Sequence, residues 1–342
     1  MASRSTSVRS SVDPGGAVDG PAPAQAAQAA QTSVAAAHLE SLPMGSRPAT
    51  SGRVVAIGGG LAAVRVDGVE HVAQLAGRLT QRPVAGDEVD VTVAADGTVR
   101  IDAIHERRTQ LARLQRLGRG DQTLVANAEL LVIVAAVADP PLRRGLIDRL
   151  LVAAWAGEMD GMIVLTKADM ADQAEEPPAR VVADYVDLGY AAVAVDARTP
   201  TGVHAVRKLL AGRLAAFAGH SGVGKSTLVN GLTGGAQLTG VVNDVIGRGR
   251  HTTTAARIVH GNGIEVIDTP GIRGFVITNV AESDLGFAFP EIAEASAGCR
   301  FRGCRHAGDA GCAVPALVGE VRLQSYRKLL AEIRGDEQAA GQ

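Results

Sequence analysis

The stretch Gly219-His220-Ser221-Gly222-Val223-Gly224-Lys225-Ser226 puts a lysine and a hydroxyl directly behind a glycine-rich loop, in full agreement with the pattern G-x-x-x-x-G-K-[ST]. The apolar run RLAAFA precedes it and the helix-prone run LVNGL follows, so the loop should join a strand to a helix. Backbone N–H groups of such a loop can surround a β-phosphate. Lys225 can reach the β- and γ-phosphates, and the Ser226 hydroxyl can bind Mg²⁺. At the glycines a Cβ would block close approach of the phosphates or forbid the backbone angles required. The expected phosphate-contacting set is Gly219, His220, Ser221, Gly222, Val223, Gly224, Lys225, Ser226 and Thr227.

Two further short patterns complete a nucleotide site. Asp268-Thr269-Pro270-Gly271 closes the apolar run IEVID. Asp268 can hold Mg²⁺ through water there, and the Gly271 amide can sense a γ-phosphate. Thr166-Lys167-Ala168-Asp169 ends the run GMIVL and matches the guanine-reading pattern N-K-x-D except at its first residue. The Asp169 carboxylate can accept hydrogen bonds from guanine N1–H and the 2-amino group. Adenine offers neither donor and would leave the carboxylate unpaired. The Lys167 stem can cover the base. Thr166 carries a hydroxyl in place of the Asn amide that would tie this loop to the phosphate loop, which weakens guanine selectivity. Ala197, in VDART, is the best match for a further guanine-contacting turn.

The segment GRGRHTTT, Gly247 to Thr254, lies between the phosphate loop and Asp268. Its glycines, basic residues and threonines suit a switch that orders against γ-phosphate. Thr252 or Thr253 is placed to bind Mg²⁺, and Thr253 is the expected ligand beside Ser226. Ile272 follows Gly271, where a water-orienting Gln would serve hydrolysis. An apolar side chain cannot do so, and His251 is the nearest group that can. In ordinary nucleotide switches the phosphate loop precedes the base reader. Here TKAD comes first, then GHSGVGKS, then DTPG, a circular permutation that a parallel sheet with surface termini tolerates. The segment after DTPG then runs directly into the C-terminal region.

The only three cysteines, Cys299, Cys304 and Cys312, fall in one window with His306. The spacing C-x4-C-x-H-x5-C supplies a Cys3His set for tetrahedral Zn²⁺, and an odd, clustered number of thiols argues against disulfides. Arg300, Arg302 and Arg305 beside them form a small basic surface, either solvated or facing RNA.

These residues need elements to hold them. The chain has 342 residues, 46% hydrophobic and 20% charged, with a net charge of −2, so the protein is not a generally basic nucleic-acid binder. No apolar run is long enough to span a bilayer and no secretory signal opens the chain, so a cytoplasmic protein without a membrane partner is expected. Residues 1–49 are rich in Ala, Ser, Pro and Gln and should be a disordered tail. Residues 50–106 carry short alternating runs (GRVVAI, AAVRVDG, GDEVDVTV, VRIDAI) between Gly and Asp-Gly turns, the rhythm of a small OB-fold β-barrel. Residues 107–126 form a basic linker with Arg107, Arg108, Arg113, Arg116 and Arg119, either a solvated helix face or a contact with a phosphate backbone. From residue 127 to 280 strands and helices alternate as in a doubly wound parallel sheet, with a helix expected to start at Pro140. Residues 281–342 form the metal-binding C-terminal domain.

Together, GHSGVGKS, GRHTTT, DTPG, the permuted order and the Cys3His spacing resemble the RsgA (YjeQ/EngC) family of circularly permuted GTPases, over roughly residues 50 to 335. The resemblance implies an α/β fold, with a circularly permuted P-loop GTPase domain between an N-terminal OB-fold and a C-terminal zinc-binding domain. It implies GTP hydrolysis to GDP, stimulated by the small (30S) ribosomal subunit, and contact with 16S rRNA in late subunit assembly. It also implies one structural Zn²⁺ per chain, Mg²⁺ with GTP, and a catalytic role for His251. A monomer is expected. Thr166, and Gly274 and Val276 after DTPGIR, depart from the family pattern. Two other readings compete. One is an RNA-binding protein with a vestigial nucleotide site, disfavoured by intact Lys225, Ser226 and Asp268. The other is an ATP-using enzyme, disfavoured by Asp169.

Overall fold

Five short strands open the described chain, β1 (Thr50–Gly58), β2 (Leu61–Val66), β3 (Val69–Leu75), β4 (Glu88–Val93) and β5 (Val99–Ile104), and the period-two alternation of a half-buried sheet is clearest in β4 and β5. This computed structural model describes residues 50–94, 97–114, 121–210, 212–235, 240–247, 255–270 and 276–335. The expected tail 1–49, Arg116 and Arg119, and His251, Thr252, Thr253, Gly271, Ile272 and Gly274 lie outside the described residues. The first two strand connections are two-residue turns. Gly59-Gly60 and Asp67-Gly68 have positive φ at both positions, as tight hairpins require. The strands pair in the order β1-β2-β3-β5-β4, and β4 pairs back onto β1. The ladder therefore closes into a barrel with the OB-fold order, filled by Val54, Val64, Val89, Val91, Val99 and Ile101.

The basic segment after the barrel is not a helix face. It folds as an antiparallel hairpin, β6 (Gln110–Leu114) and β7 (Asp121–Ala126). Arg107 is not free for a phosphate either. Its guanidinium donates to both carboxylate oxygens of the fully buried Asp87, at 2.7 and 2.9 Å, and to Thr123 at 3.0 Å. Arg108 pairs with Glu88 at 2.9 Å, and Arg113 reaches Gln122.

The central domain is a parallel sheet in the order β10-β9-β8-β11-β13. Its strands are β8 (Leu130–Ala136), β9 (Asp160–Thr166), β10 (Ala191–Ala194), β11 (Ala215–Gly219) and β13 (Ile264–Asp268). A short strand, β12 (Arg257–Gly261), runs antiparallel to β13. Helices α1 (Arg144–Ala156), α2 (Pro178–Asp187), α3 (Pro200–Leu210) and α4 (Lys225–Thr233) complete it, while α5 (Gly240–Gly247) packs against the barrel strands β1, β2 and β3. Alternate strand residues face opposite sides. Leu131, Ile133, Ile163 and Leu165 pack with Ile147, Leu150 and Tyr185, while Leu130, Val132, Val164 and Phe217 pack with Val206, Leu228 and Leu232. The first helix starts four residues later than expected. Pro140 and Pro141 lie in the turn before it, with Arg143 at the cap position.

Barrel and sheet are continuous, since β1 pairs antiparallel with β12 through Ala56 and Arg257. The C-terminal domain contributes α6 (Pro290–Ser296), α7 (Val314–Leu317) and α8 (Glu320–Arg334). Its small core of Leu285, Phe289, Ile292, Leu323, Tyr326 and Leu330 also takes in Val152 from α1. A buried polar cluster crosses the same junction. Arg322 donates to Asp148 at 2.5 Å and to Glu291 at 2.7 Å, and the Tyr185 hydroxyl donates to Asp148 at 2.7 Å.

Candidate functional site

The phosphate loop follows from its local sequence. β11 is fully buried, and at its end Gly219 lies so close to β8 that a Cβ would stand 2.4 Å from the Val134 carbonyl oxygen. The chain then turns through Gly222 (φ +87°) and Gly224 (φ +85°), both in the left-handed region that favours glycine, and enters α4 at Lys225. No side chain caps the first turn of this helix among the described residues, and the loop opens on one cleft. His220, Ser221, Gly222, Gly224, Lys225, Ser226 and Thr227 line it from the loop, Lys167 from the base-reading segment, and Arg257, Asp268 and Pro270 from the opposite side. Val223 instead turns into the core. The Lys225 ammonium donates to the Asp268 carboxylate although the two residues are 43 positions apart. A phosphate arriving between them would offer Lys225 a second anion. A carboxylate and the Ser226 hydroxyl in one cleft are the oxygen donors that suit Mg²⁺.

The base-reading segment lies beside this loop. Thr166 ends β9, is buried, and its hydroxyl donates to the Val223 carbonyl oxygen, with the Ala135 carbonyl oxygen at 3.1 Å as an alternative acceptor. The tie to the phosphate loop is therefore present, carried by a hydroxyl instead of an amide. Lys167 takes a left-handed backbone (φ 58°) and its ammonium donates to the Asp139 carbonyl oxygen. The Ala168 N–H donates to the Val195 carbonyl oxygen at 3.2 Å, which joins this segment to the turn holding the buried Ala197. Asp169 pairs with Arg198 at 2.7 Å.

Two cations near the site escaped the sequence reading. Arg257 lines the cleft with a guanidinium nitrogen 3.6 Å from Asp268, a register partner across β12 and β13, and its buried Nε has no hydrogen-bond partner among the described residues. Its signal was weak because β12 is only five residues long. Arg198 stood in view inside VDART, but nothing in the spacing marks its reach to Asp169.

In the C-terminal domain Cys299, Cys304, His306 and Cys312 present ligand atoms that all lie within 4.8 Å of one another. The Cys299 and Cys312 sulfurs are 4.0 Å apart, and His306 Nδ1 is 3.7 and 3.4 Å from them. A tetrahedral ion with Zn–S bonds of about 2.3 Å requires ligand separations of about 3.8 Å, so the donors fit. Burial lowers the His306 pKa and so favours the neutral imidazole a metal needs. No helix among the described residues is long and apolar enough to cross a membrane.

Comparison with known proteins gives a consistent picture. The model of the RsgA GTPase family matches residues 104–278. A relative from Shewanella oneidensis, a small ribosomal subunit biogenesis GTPase RsgA, is 35% identical over 269 residues, covering 75% of each chain. Among solved structures, YjeQ from Thermotoga maritima superposes with a TM-score of 0.66 at 25% identity, covering 84% of this chain and 99% of that one. YloQ, described as a circularly permuted GTPase, gives 0.64 at 23% identity over 87% and 99%.

Proposed function

The chain belongs to the RsgA GTPase family, and from that membership we propose that it binds the small (30S) ribosomal subunit through 16S rRNA and hydrolyses GTP to GDP in late subunit assembly. The observation that carries this reading is the meeting of Lys225 with Asp268 in a cleft that Lys167 also lines, three motifs in permuted order around one space. Amides of the Gly219–Gly224 loop take the β-phosphate, and Lys225 exchanges Asp268 for the phosphates. Ser226 and Thr253, with Asp268 close by, would hold Mg²⁺, and the ion would supply neutralisation of phosphate charge. The Gly271 amide senses the γ-phosphate. Asp169 and the Ala197 turn read guanine, with Lys167 over its face. His251 orients the attacking water, since Ile272 cannot. The Cys3His set holds one structural Zn²⁺. We take the protein to work in the cytoplasm as a monomer.

GTP turnover with and without purified small subunits tests this. The isolated protein is expected to turn over slowly and to be strongly stimulated by the subunit. Lys225→Ala should abolish both rates. His251→Ala should remove most of the stimulated rate at nearly unchanged GTP affinity, the signature of a contact made in the transition state. Failure of the subunit to stimulate the parent enzyme, or full turnover by Lys225→Ala, would overturn the reading.

A further inference from the structure

We propose that Arg198 is a positioning residue for guanine recognition, holding the Asp169 carboxylate in the orientation that meets the two donors of the base. The inference rests on the assignment of Asp169 as the base reader. Its ground is a ladder of charges on a rigid turn. Arg198 Nη2 lies 2.7 Å from Asp169 Oδ2. The same guanidinium grips Asp196, with Nε 3.0 Å from Oδ1 and Nη2 3.1 Å from Oδ2, while the Arg198 backbone N–H donates to Asp196 Oδ1 at 2.9 Å. One cation thus spans two carboxylates.

The turn that carries Arg198 is fastened at every step. The Thr199 N–H and hydroxyl both donate to the Asp196 carbonyl oxygen, at 3.1 and 2.9 Å. The Thr199 hydroxyl in turn accepts from the Gly202 N–H at 3.1 Å, which anchors the turn to the start of α3. The Ala168 N–H bond to Val195 brings the Asp169 segment onto this turn. A long side chain starting from a fixed backbone, with its guanidinium held by Asp196, acts as a strut.

The contact to Asp169 uses Oδ2. A carboxylate has about four lone-pair directions, so Oδ1 and the second direction of Oδ2 remain for the base. Guanine presents two parallel donors, N1–H and the 2-amino group, and needs the carboxylate plane turned correctly toward both. A base with one donor tolerates rotation of that plane. Orientation by Arg198 should therefore matter for guanine and little for hypoxanthine, which lacks the 2-amino group. A side chain that merely supported the fold would affect both alike.

The test is calorimetric titration of the full chain with GDP, IDP and XDP, diphosphates that remove hydrolysis from the measurement. Arg198→Ala is expected to weaken GDP roughly two- to fivefold, the scale of an exposed ion pair. It should leave IDP nearly unchanged, so the GDP-to-IDP preference falls, and Arg198→Lys should recover part of it. Tighter GDP binding by Arg198→Ala would show that the arginine competes with the base, and equal changes for GDP and IDP would show a structural role. Either result overturns the proposal. Asp169→Asn is the separate control on the underlying assignment and should shift preference toward XDP. If GDP remains preferred there, the base reader itself is wrongly assigned, whatever Arg198 does.

Discussion

The barrel and the C-terminal domain are both small, and they hold together by different physics. In the barrel every strand pairs with two neighbours and the ladder closes on itself. Its core is aliphatic, built from side chains that alternation alone turns inward. The C-terminal domain has helices of seven, four and fifteen residues, and between Ser296 and Val314 the chain follows no regular element. Its core borrows Val152 from α1, its loop is gathered by the four candidate metal ligands, and its docking face contains charged groups away from water. A closed ladder lets a small domain stand on its own apolar interior. A loop-rich one of similar size needs staples from outside its own core.

The sharpest way to break this contrast is to remove a staple. Zinc chelation, or Cys304→Ser, should unfold the C-terminal domain selectively. Metal binding in small zinc peptides reaches about 10–16 kcal/mol and acts there as folding energy. Hydrogen exchange resolved by domain should show amide protection lost around Cys299–Cys312 and in α8 but kept in β1–β5. Metal analysis that finds no zinc in the purified protein would refute the site. Next in size, Arg322→Ala strands the fully buried Asp148 and should cost about 3–5 kcal/mol. Urea denaturation followed at the C-terminal domain is the measurement, and a loss under about 1 kcal/mol would mean that the carboxylate finds water or a proton. In the barrel, Ile101→Val should cost only about 0.5–1.5 kcal/mol, since one methylene is lost from a core with no charge to strand. Smallest of all, Arg78→Ala removes an exposed partner 3.5 Å from Asp102 and should shift barrel stability by less than about 1 kcal/mol. A large effect there would mean that the barrel, too, depends on its charges.

The same contrast explains what could be read in advance. Chemistry that demands fixed spacing was legible. The GHSGVGKS loop, DTPG, TKAD and the Cys3His set all announce themselves; the structure brings Lys167, Lys225, Ser226 and Asp268 to one cleft and the four Cys and His ligand atoms within 4.8 Å of one another. Barrel strands with clean alternation were legible too. β3, VEHVAQL, was missed because only one of its seven residues is fully buried and its polar members blur the period. The hairpin β6–β7 hid inside a run of arginines whose charges suggested solvent, while Arg107 was bound to a carboxylate 20 residues back. Asp148 left a trace. Arg144, Ile147, Asp148 and Leu151 share one helical stripe and all are buried, and a charge on such a stripe signals a buried partner. The partner, Arg322, lies 174 residues away, where no local pattern reaches. Thr166 shows the opposite limit. The residue type suggested a lost tie, and only geometry reveals that a shorter side chain makes it by another route.

The pairing of β1 with β12 has a consequence for how the chain survives its own synthesis. Without the barrel, β12 would be the edge strand of the central sheet, a row of open amides and carbonyls able to template sheet growth between molecules. The barrel meets that edge at the Ala56–Arg257 pair, and Arg53 and Arg65 pair with Glu265 across the same seam. Because chains fold from the N-terminus as they emerge, the cover is made some 200 residues before the edge it protects. The order of the domains thus acts as a kinetic safeguard: the sticky surface appears only after its lid is already folded and tethered beside it.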